Sequence, residues 1–204
     1  TWFHPTVDVQ RSGKSDLYAF DGMSKYDIIY PGDLLHCDFG ISYLTLNTDC
    51  QELAYVLKPE ETKAPEFLEE ALAQGNAVQD HLTDNYKKGK SGNAILKQAI
   101  EDSKAAGLRP QIYTHPLGLY GHSAGTTIGM WDAQEGVPGS GDHPLHEETV
   151  YAIELNAKVF IPEWEKDVRV MLEEAGYFGG DGFRYVNGRQ TKLLLVGGKE
   201  KHLE

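Results

Sequence analysis

Cysteine is scarce in this sequence of 204 residues, with only Cys37 and Cys50 present. Two thiols are too few for a disulfide scaffold and suit a reducing cytosol. Basic residues are also in short supply, 19 Lys and Arg against 31 Asp and Glu, for a formal net charge of −12. That balance repels phosphate backbones, and no local cluster of Lys or Arg offsets it, so nucleic acid is not an expected partner. No apolar run approaches the roughly eighteen residues of a membrane helix, and Thr1-Trp2-Phe3-His4-Pro5 lacks the basic and apolar regions of a signal peptide. Neither membrane association nor secretion is expected, and the cytoplasm is the expected location. Low-complexity tracts, short-period repeats and dividing linkers are missing too, which leaves one domain over residues 1–204. What remains, 40% hydrophobic and 25% charged, is enough for one sizeable core.

Thr1 to Gln10 reads as a strand with no preceding structure, as though the chain starts partway into a larger protein; Leu203-Glu204 reads as a vector remnant. Gly13 to Gly32 is a turn-rich insertion. Pro31-Gly32-Asp33 introduces a strand over Leu34 to Gly40, and a β-rich run from Ile41 through Leu57 makes the pair a long antiparallel hairpin. Pro65 opens a helical pattern with Leu68, Ala71, Leu72, Val78 and Leu82 on one face, closed by Lys87-Lys88-Gly89. A second helix, from about Ser91 to Ala106, carries Ile95, Leu96, Ala99 and Ile100, and Gly107 suits the left-handed position past its end. Strands follow at Gln111 to Thr114, Val150 to Phe160, Val168 to Glu174 and Gly188 to Val196, with Gly136 to Pro144 an exposed connector. Strands, two helices, then strands imply an α+β class with helices packed on one face of a mostly antiparallel sheet.

Three polar features interrupt these apolar patterns. Asp38 and Asp49 become direct cross-strand neighbours if the hairpin loop centres on Tyr43-Leu44. Their β-carbons would then lie about 5 Å apart, where like charges repel by roughly 3 kcal/mol at an effective dielectric near 20. A bound cation removes that penalty, and the flanking Leu34, Leu35, Phe39, Leu53, Tyr55 and Val56 make solvation a poor alternative. The second feature is a Gly-rich segment, Thr114 to Gly125, with His115 and His122 seven apart; imidazole serves both metal ligation and proton transfer near neutral pH. The third is Glu154, in the otherwise mainly apolar strand Tyr151 to Asn156.

The order Asp38, Asp49, His115, His122, Glu154 resembles the pita-bread metallopeptidases: methionine aminopeptidase, aminopeptidase P, prolidase and their creatinase relative. Gly32-Asp33-Leu34-Leu35-His36-Cys37-Asp38-Phe39-Gly40 and His115-x-x-Gly118-x-x-x-His122 carry the resemblance, which spans Asp33 to about Val196 and is nearest to the Xaa-Pro aminopeptidase branch. It implies a pita-bread fold, a curved antiparallel sheet with helices on its outer face. It also implies one or two divalent ions (Mn, Co, Zn or Fe), with Asp38 chelating one, Asp49 bridging two, and His115 and Glu154 completing the second. Glu154 would take a proton from the attacking water, and His122 would face the substrate. Cys37 and Cys50 alternate to the opposite strand face as core thiols. Proline-specific members carry a separate N-terminal domain, which implies that this chain is the catalytic-type C-terminal part of a longer protein, with a peptide as partner and room for a homodimer through the missing region.

Three positions depart from the family pattern. The second bridging Glu, on the last strand and followed by an acidic residue, has two candidates. Gln190, in Arg189-Gln190-Thr191-Lys192-Leu193-Leu194-Leu195-Val196, is preferred, because choosing Glu173 leaves about thirty residues after the final strand without a role. An amide carries no charge and bridges poorly, so Gln190 predicts a weakly held second ion. The family's Arg shortly after the second Asp is missing from Asp49-Cys50-Gln51-Glu52. For the substrate-binding His before the first Asp, His4 is the candidate, on the right strand by order but upstream by spacing. The expected function is metal-dependent hydrolysis of a peptide bond next to proline. The alternatives are a non-catalytic peptide- or protein-binding module with a degraded metal site, and hydrolysis of a small non-peptide C–N bond.

Overall fold

The computed structural model describes residues 3–13 and 28–197. The expected insertion falls largely outside the described residues, and Leu203-Glu204 does so entirely. In chain order come β1 (Phe3–Gln10), β2 (Leu34–Gly40), the short β3 (Ser42–Tyr43) and β4 (Leu46–Asn47), and β5 (Cys50–Val56). The helices α1 (Glu66–Thr83) and α2 (Gly92–Ala105) follow, then β6 (Pro110–Ile112), β7 (His115–Leu117), β8 (Thr149–Ile161), β9 (Lys166–Gly179), β10 (Gly182–Tyr185) and β11 (Leu194–Val196). Among the described residues the large sheet runs β1-β2-β5-β9-β8-β6, with β7 on β8, β10 on β9 and β11 on β5. Its ladders are antiparallel apart from that of β11 with β5. This is the α+β architecture that the element order implies.

Both helices bury the faces their spacing marks out. Leu68, Ala71, Leu72, Val78 and Leu82 of α1 join Ile95, Leu96 and Ala99 of α2 in one core with Ile153, Leu155, Val170 and Leu172 of the sheet. Ser91 caps α2 by accepting from the Ala94 N–H, and Gly107 follows at φ 79°. Gly75 lets α1 lie directly on β9: a β-carbon there would meet Val170 Cγ1 at 2.6 Å and Leu172 Cδ1 at 2.9 Å. The close approach fixes β9, and so fixes whatever its other face presents.

Three expectations about elements are corrected. The first helix ends at Thr83, not at Lys87 to Gly89, because Tyr86 leaves the helical path to pack against Tyr151, Phe178 and Phe183. The last strand shrinks to Leu194–Val196, and an unforeseen hairpin over Gly180-Asp181 returns β10 along β9. The β2–β5 register also differs, since Asp38 faces Gln51 and not Asp49. The residues with positive φ at the tip are Leu44 (48°) and Thr45 (78°), which moves the turn one residue along.

Candidate metal centre

Alternation on β8 and β9 sends neighbouring residues to opposite sides. Leu155 pairs with Leu172 and Ala157 with Val170 toward the helices, while Glu154 pairs with Glu173 and Asn156 with Met171 on the other side. That side lines a cavity of 780 Å³ together with Asp8, His36, Asp38, Asp49, Gln51, Tyr113, His122, Trp131 and Arg169. The direct carboxylate pair of the sheet is therefore Glu154–Glu173, with Asp49 diagonal to Asp38 on the neighbouring ladder.

His115 opens β7, opposite Ala152, and is 3% exposed. Its Nδ1 donates to the Pro116 carbonyl at 3.2 Å, which aims Nε2 at the carboxylates, 3.6 Å from Glu154 Oε2, 3.6 Å from Glu173 Oε1 and 4.0 Å from Asp49 Oδ2. Half-exposed His122 packs with its ring tilted by 56° to that of His115, centroids 4.2 Å apart, and brings Nε2 to 3.8 Å from Asp49 Oδ2. Donor atoms fall into three overlapping groups, each within 4.8 Å: Asp38, Asp49 and Glu173; His115, Glu154 and Glu173; Asp49, His115 and His122.

The electrostatics of this cluster demand a cation. Asp38 Oδ1, His115 Nε2 and Glu173 Oε1 are buried with no hydrogen-bond partner, and such atoms are costly unless something ligates them. Burial, then the nearby Glu154, pushes the Asp38 carboxyl up to about 6; burial, then Asp38, pushes Asp49 up to about 7. Burial and Glu154 hold Glu173 well above the usual carboxylate range. Although burial opposes it, Glu154 and Glu173 raise His115 to about 10. By itself the chain would thus collect protons here, and a divalent ion meets the same need. The donor set of carboxylates and imidazole fits a first-row divalent metal.

A second line of buried polar groups crosses the sheet to the same point. Asp8 pairs with His36 across β1 and β2, and its Oδ2 lies 3.0 Å from His36 Nδ1. His36 Nε2 is 2.8 Å from Gln51 Oε1, and Gln51 Nε2 donates to Glu154 Oε1 at 2.8 Å and to Glu173 Oε2 at 3.1 Å. Once ionised, as metal binding would require, the two carboxylates only accept, so the Gln51 amide nitrogen faces them and its oxygen takes a hydrogen bond from His36.

Of the residues singled out from sequence, Asp38, Asp49, His115, His122 and Glu154 come together. Gln190 does not. Its side chain accepts from the Leu53 N–H and donates to the Leu53 carbonyl, at 2.8 and 2.7 Å, standing in for a missing strand between the β9 and β11 contacts of β5. Glu173 takes the last position in the cluster, and the residues after β9 do have work, with β10, Gln190 and β11 all completing the sheet. His4 is exposed and does not line the cavity; the β1–β2 register slips between Phe3 and Thr6, and His4 turns to solvent at the slip. Sequence reasoning missed Gln51, His36, Tyr113, Trp131 and Arg169. Counting by twos from the clustered carboxylates would have reached three of them: His36 from Asp38, Gln51 from Asp49 and Arg169 from Glu173.

The model of metallopeptidase family M24 matches residues 7–185. None of the curated protein sequences compared with the chain matches it. Among solved structures, an X-Pro aminopeptidase from Thermotoga maritima superposes with a TM-score of 0.66 at 20% identity, over 96% of this chain and 49% of that one. A dipeptidase from Pyrococcus horikoshii gives 0.66 at 18%, with coverage of 96% and 49%. A methionine aminopeptidase from Rickettsia prowazekii gives 0.59 at 12%, with 89% and 72%. The shared fold is the pita-bread fold, a curled antiparallel sheet backed by two helices. The chain spans about half the length of the X-Pro aminopeptidase and the dipeptidase.

Proposed function

Because this chain belongs to metallopeptidase family M24, we propose that it is a metal-dependent exopeptidase that cleaves a peptide bond next to proline, of the Xaa-Pro aminopeptidase or dipeptidase kind. The observation that carries the proposal is that Asp38 Oδ1, His115 Nε2 and Glu173 Oε1 are buried without hydrogen-bond partners, and that Glu173 links the donor group of Asp38 and Asp49 to that of His115 and Glu154. Asp38, Asp49, His115, Glu154 and Glu173 would hold one or two divalent ions, with Mn²⁺, Co²⁺, Zn²⁺ and Fe²⁺ all suited to the donor set. Bound there, they supply an acidified water and a polarised carbonyl.

The remaining steps fall to side chains. Glu154 is placed to take the proton of the attacking water. His122 sits at the rim beside Tyr113, and burial, then the neighbouring His115, keeps its basicity low. It is thus a neutral hydrogen-bond partner for the substrate carbonyl as charge develops on it. Tyr113 and Trp131, edge to face at 5.6 Å, give the cavity an aromatic wall against which a pyrrolidine ring can pack. The partner is then a peptide, met in the cytoplasm. The binding-only alternative drew its support from Gln190 as a degraded ligand, and with Glu173 in the cluster that support is gone.

The test is to strip the protein of metal, titrate Mn²⁺ back, and compare peptides with proline second against peptides that begin with methionine and lack proline. Two bound ions with metal-dependent release of the residue before proline are expected. Cleavage confined to the methionine peptides would overturn the proline specificity, and a chain that binds no ion would overturn the whole proposal.

A further inference from the structure

Glu154 and Glu173 lie directly opposite each other on β8 and β9, and both must turn one oxygen toward His115. Nothing in a carboxylate distinguishes its two oxygens, so something else has to choose which one points inward. Gln51 makes that choice. Its amide nitrogen holds Glu154 Oε1 and Glu173 Oε2, and the oxygens left over, Glu154 Oε2 and Glu173 Oε1, are the two that lie 3.6 Å from His115 Nε2.

The amide is itself held in place. Gln51 lies opposite Glu173, with His36 two residues along the β2–β5 ladder and Asp8 opposite His36, so the connected side chains cross five adjacent strands. Asp8, His36 and Gln51 are 2%, 4% and 3% exposed, so each link is made between buried groups, where losing a partner is costly. A flipped Gln51 would set its oxygen against two carboxylates, and the bond to His36 opposes that flip.

From this we infer that Gln51 is a positioning residue for the metal centre, sorting the oxygens of Glu154 and Glu173, and that His36 and Asp8 act through it. The inference rests on the metallopeptidase proposal for the identity of the centre. It adds that the sheet edge at Asp8 is coupled to the ligands without touching them.

The probe is Co²⁺, titrated into metal-stripped protein with calorimetry for affinity and visible absorption for ligand geometry. Gln51→Met keeps the length and removes the amide. We expect it to bind Co²⁺ about 10- to 100-fold more weakly, the range for loss of a group that orients metal ligands, with an altered spectrum and a metal-free melting temperature near that of the wild type. Asp8→Asn, which hydrogen-bonds none of the proposed ligands but whose charge also reaches Asp38, should change the spectrum in the same direction by a smaller amount. Wild-type affinity and spectrum in folded Gln51→Met would overturn the inference and leave the metallopeptidase proposal standing. If Gln51→Met does not fold, Asp8→Asn decides, and wild-type behaviour there overturns the inference. A wild-type chain that takes up no Co²⁺ would sink both.

Discussion

On β8 and β9 the side chains that face the helices and those that face the cavity come from the same two stretches of chain, one residue out of step. Ile153, Leu155, Val168, Val170 and Leu172 meet apolar partners and are almost wholly buried. Glu154 and Glu173 are also buried, yet between them and His115 the acceptors outnumber the donors and atoms are left without partners. The difference teaches where stability and chemistry reside in this fold. One face supplies the free energy that fixes the strands, and the other uses that rigidity to hold groups which would repel one another in a looser frame. A one-residue slip would exchange the two faces, which is why the close seat of Gly75 on Val170 and Leu172 matters to a site it never touches.

The comparison is broken most completely from the cavity side. Glu173→Ala removes the carboxylate shared by two of the donor groups, and we expect metal-dependent peptidase activity to fall on the order of 10⁴-fold, equivalent to several kcal/mol of lost transition-state stabilisation. Metal-free stability should hold or rise, because the variant no longer has to bury a carboxyl whose Oε1 has no hydrogen-bond partner. Elemental analysis and thermal melts of the same sample would check both halves, and full metal content in the variant would show that Glu173 is not a ligand.

His122→Ala sharpens the boundary between metal and substrate. Since His122 sits at the half-exposed rim, turnover should drop by about 10²- to 10⁴-fold, the span for a positioned proton donor or acceptor, with ion stoichiometry unchanged. Loss of an ion would instead place His122 in the group it forms with Asp49 and His115. On the helix face, Leu72→Ala should cost about 2–5 kcal/mol of stability, as a buried leucine does when truncated, and chemical denaturation would measure it. Ions bound per folded chain should not change. If they do, the two faces are coupled more tightly than alternation implies.

How much could be read beforehand follows from the same two faces. Asp38, Asp49, His115 and Glu154 were legible because each interrupts an apolar pattern, and a polar residue without solvent needs a partner. Glu173 was harder. It stands beside Glu174, and two consecutive carboxylates in a strand point to opposite sides, with nothing local to say which points inward. The hairpin tip hid Gln51 in another way. Positive φ falls on Leu44 and Thr45, whereas turns of that kind are normally marked by Gly, Asn or Asp, so a turn read one residue early shifts the register by two and puts Asp49 opposite Asp38, in the place that Gln51 occupies. The helices, whose caps and spacings are local, lay close to where the sequence put them.

Two buried glutamines make the last and smallest test. Gln51 and Gln190 are both nearly inaccessible, at 3% and 8% exposure, yet Gln51 contacts the paired carboxylates Glu154 and Glu173 and Gln190 contacts only backbone at its amide end. Restoring the charge that sequence comparison misses, by Gln190→Glu, should therefore leave the metal centre indifferent. A carboxylate there can still accept from the Leu53 N–H, but its second oxygen would confront the Leu53 carbonyl where the amide now donates at 2.7 Å. One donor is lost and two acceptors are forced together in a buried place, which costs about 1–3 kcal/mol. We expect a lower denaturation midpoint with Mn²⁺ affinity and stoichiometry equal to wild type. Tighter binding of a second ion in Gln190→Glu would contradict the position assigned to Gln190, and would return the last ligand site to the C-terminal segment.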